Sequence, residues 1–131
     1  MTSPIRRPCP PAACTCGHDQ LLENADGDWR ILRLTRQEER RLLDRLENLT
    51  SLADLEHLQQ RLYAQLGIRL AIAPSTSEVR SMRGIAIEIE ALPGLCRKTR
   101  QSIPAAIRRG LAKRPEVAFA LLNAHDLLRD A

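Results

Sequence analysis

The chain has 131 residues and 44% hydrophobic content, enough for one domain with a real core. Its aromatic content is only 2%, so that core must be built from Leu, Ile, Val and Ala, which excludes a typical β-sandwich and favours helix packing. The formal charge is +4, and it is unevenly spread. Residues 19–60 carry ten acidic and six basic side chains, a balance of −4, whereas residues 95–114 carry seven basic and no acidic ones, a balance of +7. Eighteen of the twenty cations are Arg, a bias that base composition of the genome explains as readily as phosphate binding. No apolar run long enough to span a bilayer is present, and Ile5-Arg6-Arg7-Pro8 is unlike a signal segment, so a cytoplasmic location with reduced thiols and no membrane partner is expected.

The first expected unit, residues 1–33, reads as a flexible arm. It contains four prolines, the cluster Cys9, Cys14, Cys16 and His18, and the turn-rich Asn24-Ala25-Asp26-Gly27-Asp28. Trp29 to Leu34 reads as a short extended lead-in that anchors the arm on the body. Residues 34–131 read as a helical domain. Thr35 followed by Glu38 matches a capping box, and Leu42, Leu43, Leu46 and Leu49 recur at helical spacing. Thr50 or Ser51 caps a second helix with the stripe Leu52, Leu55, Leu58, Leu62 and Leu66, closed by Gly67. The short connection predicts an antiparallel Leu-rich hairpin.

Ile68 to Pro74 alternates weakly and reads as an extended linker. Ser75 and Glu78 repeat the capping spacing, and Val79, Met82, Ile85, Ala86, Ile89 and Leu92 suit a helix over 76–92, although Ile85-Ala86-Ile87-Glu88-Ile89-Glu90 also alternates as a strand does. Helix is the reading adopted, with Gly84 marking a close crossing or a weak point. After Pro93-Gly94, Ser102 with Pro104 predicts a helix over 103–112, and Pro115 opens a last helix to about Leu128. The expected fold is all-α: a small bundle of about four or five helices on the antiparallel hairpin, preceded by the Cys-containing arm.

Two groups carry candidate chemistry. Cys9, Cys14, Cys16 and His18 are soft and borderline donors of the kind that hold zinc, or with less expectation an iron–sulfur cluster, but their Cys-x4-Cys-x-Cys-x-His spacing matches no paired knuckle. An arm with reduced thiols is the plainer reading. The second group is Arg97, Lys98, Arg100, Arg108, Arg109, Lys113 and Arg114, which suit phosphates if one surface gathers them; a solvated basic face is the plainer reading here too. The absence of interleaved aromatics counts against single-strand binding, and Pro115 counts against a recognition helix. His57 and His125 have no nucleophile placed beside them, and no phosphate loop or nucleophile elbow occurs, so an enzyme is not expected. The leading expectation is a small regulatory or adaptor protein that binds a protein partner, or a second copy, through residues 35–66, with a metal- or redox-responsive arm. The alternative is a nucleic-acid-binding accessory protein that uses the basic C-terminal third.

Overall fold

A computed structural model describes residues 16–24, 27–74 and 85–124. They form, in chain order, α1 (His18–Glu23), a 3-10 helix (Trp29–Arg33), α2 (Arg36–Glu47), α3 (Leu52–Leu66), β1 (Leu70–Pro74), β2 (Ile85–Ile89), α4 (Arg97–Lys113) and α5 (Pro115–Ala124). None of these helices is long and apolar enough to cross a membrane.

The α2 and α3 boundaries follow from local chemistry. The Thr35 hydroxyl accepts the Glu38 N–H at 3.2 Å, and the Ser51 hydroxyl accepts the Asp54 N–H at 3.0 Å, so each helix begins with an orphan donor satisfied. α3 ends at Gly67, whose φ of 74° is the left-handed conformation that glycine adopts without a Cβ penalty. Between the two helices, the Asp54 carboxylate takes both terminal guanidinium nitrogens of Arg45 and the Thr50 N–H, which locks the connection.

The all-α expectation is corrected by β1 and β2, which pair antiparallel with Leu70 opposite Ile89, Ile72 opposite Ile87 and Pro74 opposite Ile85. This register puts all six of those residues on one face, where Ile72, Ile85, Ile87 and Ile89 are buried. A strand wins over the expected helix here because a period of two buries every Ile of 85–89 at once, and β-branched chains suit the pleat. The weakly alternating 70–74 segment supplies the partner. The cap expected at Ser75 and Glu78, and Gly84, lie outside the described residues. The lead-in at Trp29–Arg33 is a 3-10 helix rather than extended chain, because the Asp28 side chain accepts the Arg30 N–H and starts a turn.

A second correction concerns the hairpin. α2 lies along α4 rather than along α3, while α3 packs on the 3-10 helix, α5 and β1. The leucine stripes are consumed in these contacts: Leu46, Leu49, Leu55, Leu58 and Leu62 are buried in one core with Ile31, Leu32, Ile68, Ile103 and Ile107. Of the segment read as an arm, the described part places Leu21, Ile31 and Leu32 in that core. The indole N–H of Trp29, itself 43% exposed, donates to the Leu21 carbonyl at 2.7 Å and ties α1 to the 3-10 helix.

α2 and α4 run in the same direction, since Glu39 meets Thr99 and Ser102 while Leu46 meets Gly110, one helix end after the other. At Gly110 the helices touch backbone to backbone. A Cβ there would stand 2.8 Å from the Leu46 carbonyl oxygen and 3.1 Å from that of Glu47. Gly110→Ala should therefore push α4 away from α2 and destabilise the protein by about 1–3 kcal/mol despite the better helix propensity of Ala. Chemical denaturation compared with a Gln101→Ala control on the exposed face of α4 checks this; an unchanged or raised stability would show that the crossing yields freely.

Candidate nucleic-acid interface

Six of the seven candidate phosphate contacts, Arg97, Lys98, Arg100, Arg108, Arg109 and Lys113, lie on α4, and Arg114 is its C-cap. All seven are exposed. Two helices stand here as expected, the second opening at Pro115, but the start of the first is corrected: α4 begins six residues before the expected start and passes uninterrupted through Pro104. An internal proline costs about 3 kcal/mol because it removes one N–H and crowds the preceding turn. The helix persists because its inner face, Thr99, Ile103, Ala106, Ile107, Gly110 and Leu111, is buried. Polar support also comes from α2. The Glu39 carboxylate accepts from the Thr99 hydroxyl at 3.0 Å and from the Ser102 hydroxyl at 3.4 Å, while Ser102 also donates to the Thr99 carbonyl at 3.1 Å.

With about 100° of rotation per residue, the exposed face of α4 carries a repeated pattern. Arg97-Lys98 and Arg108-Arg109 are eleven residues apart, close to three whole turns, so both doublets look outward in the same direction about 16 Å from each other. Between them the outer face holds Gln101, Pro104 and Ala105, short or uncharged residues. Arg100 flanks the first doublet. α4 contains no acidic residue, and its first turn opposes the helix dipole with Arg97, Lys98 and Arg100, which the fold itself gains nothing from.

Three of the seven are engaged within the chain. Glu47 lies 3.4 Å from Arg109 and 3.3 Å from Lys113, and Arg114 lies 3.7 Å from Glu116. Among the described residues, Arg97, Lys98, Arg100 and Arg108 form no ion pair. The hydrogen bond from Lys113, with the charges of Lys113 and Arg109 behind it, holds the Glu47 carboxyl below its ordinary value of 4.5. Neither Glu39 nor Glu47 was marked in the sequence as part of this surface; their only signal was a spacing of two helical turns on the α2 stripe.

The cysteine cluster is placed in part. Cys9 and Cys14 lie outside the described residues, as does His125. Cys16 is half-buried, and its carbonyl accepts the Gly94 N–H at 2.7 Å; His18 opens α1 and is buried. Cys96, which stands alone in sequence, is the N-cap residue of α4. Among the described residues no three His, Cys, Asp or Glu side chains gather closely enough to hold a metal ion. His57 sits exposed on α3.

One aromatic site went unnoticed in sequence. The Tyr63 ring, 45% exposed, has the guanidinium carbons of Arg30 and Arg69 at 5.2 and 5.3 Å from its centroid. Arg30 also binds the Asp28 carboxylate and donates to the Tyr63 and Ala64 carbonyls at 2.9 and 3.3 Å, so it caps the C-terminal turn of α3. This is a structural clamp. Its parts are 33 residues apart in sequence, so periodicity carries no trace of it.

Comparison with protein-family models, with curated proteins and with solved structures found no match. The functional reading rests on the geometry of the chain itself.

Because the folded-state pKa of Glu47 is depressed, its contribution to stability is present at pH values above its ordinary 4.5 and is lost as acid protonates the folded form. A carboxyl-detected NMR titration should place its midpoint below 4.5, and Lys113→Met should move that midpoint upward. A midpoint insensitive to the substitution would show that the Lys113 contact does not persist in solution.

Proposed function

We propose that this chain is a small binding protein, accessory or regulatory in role and not an enzyme, whose α4 face engages the phosphate backbone of nucleic acid. The observation that carries the reading is the set Arg97, Lys98, Arg100 and Arg108. These are exposed, lie on a single rigid helix and have no ion-pair partner among the described residues. Cations gathered in this way displace condensed counterions from a phosphate backbone, and that release supplies sequence-independent affinity. The adaptor expected first would bind a partner through residues 35–66, where Leu46, Leu49, Leu55, Leu58 and Leu62 are buried within the chain and Leu42, Leu43, Leu52 and Leu66 are partly buried.

Glu47 acts on the same surface as an internal competitor. Its carboxylate occupies Arg109 and Lys113 and adds negative charge beside a site for anions. Exposed ion pairs of this kind are weak, so phosphates can displace it at modest cost.

Fluorescence anisotropy with a labelled 20-base-pair DNA between 50 and 200 mM salt tests the proposal. Affinity should fall steeply with salt, and each removal of Arg97, Lys98, Arg100 or Arg108 should lower the log–log slope by about 1. Reversing all four to Glu should abolish binding while circular dichroism stays unchanged. Glu47→Gln should raise affinity several-fold and steepen the slope. Absence of binding at 50 mM salt would refute the reading.

A further inference from the structure

We infer that the partner of α4 is B-form duplex DNA, and that the two basic doublets straddle its major groove, one on each flanking backbone. The inference rests on the nucleic-acid reading above and specifies its substrate. α4 is continuous from Arg97 to Lys113 and is held along its whole inner face, so the distance between the doublets is fixed by helix geometry and not by a flexible turn. Eleven residues at 1.5 Å each separate Arg97 from Arg108, and Lys98 from Arg109, by about 16 Å with only about 20° of rotation.

The major groove of B-DNA is about 12 Å wide. A helix laid across it therefore brings each doublet about 2 Å past a groove wall, where long Arg and Lys chains meet phosphate oxygens. The outer face between the doublets suits this pose. Gln101, Pro104 and Ala105 place no charge over the groove floor, and the small Pro104 and Ala105 let the helix sit close. Recognition in this pose is of backbone spacing, with Gln101 the one side chain at the centre able to reach a base edge.

The same features disfavour the other nucleic acids. A-form RNA duplexes have a deep, narrow major groove, so doublets about 16 Å apart do not meet its two walls in the same way. Single strands are gripped through stacked aromatics, and the outer face of α4 has none between Arg97 and Lys113.

Three probes of one sequence separate the outcomes: a 20-base-pair DNA duplex, its single strand, and the RNA duplex, each titrated by anisotropy at 50 mM salt. The DNA duplex should bind at least ten-fold more tightly than the other two. Removing either doublet, Arg97→Ala with Lys98→Ala or Arg108→Ala with Arg109→Ala, should cost a similar factor and lower the salt slope by nearly 2. Lys113→Ala with Arg114→Ala, off the shared face, should cost less. Equal or tighter binding of the single strand or the RNA duplex would overturn the straddling geometry and leave the phosphate-binding reading intact. Loss from one doublet only would do the same. If none of the probes binds, both readings fall together.

Discussion

The backbone contact between Gly110 and the last turn of α2 is the constraint on which the arrangement depends. Only a residue without a side chain lets the two helices approach this closely, and once they do, the parallel packing of α2 on α4 fixes two carboxylates of α2 at defined heights along α4. Glu39 arrives where Pro104 weakens the helix and meets the Thr99 and Ser102 hydroxyls. Glu47 arrives about two turns further along α2 and meets Arg109 and Lys113. The inner face of α4 is thereby held straight, and its outer face becomes a rigid rod on which charge spacing has geometric meaning.

Such rigidity matters more than the charge total. A net charge of +4 on 131 residues is modest, and a basic run in a mobile segment would be a solvated stretch and little else. Packed against α2, the same residues become two doublets at a set separation and orientation. Three cations in the first turn of a helix are electrostatically unfavourable for the fold, and the structure supplies no acidic residue in that turn to relieve them.

Much of the local structure was legible in the sequence and the tertiary arrangement was not. Thr35, Ser51, Gly67 and Pro115 mark helix ends by chemistry internal to a few residues, and each does so in the structure. The segment Ile85–Ile89 satisfies both periodicities, and only the presence of Leu70–Pro74 as a pairing partner decides for a strand, which is long-range information. The hairpin expectation failed for a similar reason: a short connection makes α2 and α3 neighbours in sequence, but α2 packs on α4 and α3 on the 3-10 helix, α5 and β1, which are long-range partners. Of the candidate site, the basic residues were readable and their common face was not, because Pro104 reads as a helix start until Glu39 is brought beside it.

One consequence follows from Trp29, the single tryptophan of the chain. Its indole is half in water while its N–H is held by the carbonyls of Leu21 and Asn24, so it sits at the seam between α1 and the 3-10 helix. Intrinsic emission therefore reports detachment of α1, whereas far-ultraviolet ellipticity is dominated by α2, α3 and α4. The two optical signals give separate clocks for the edge and the centre of this molecule.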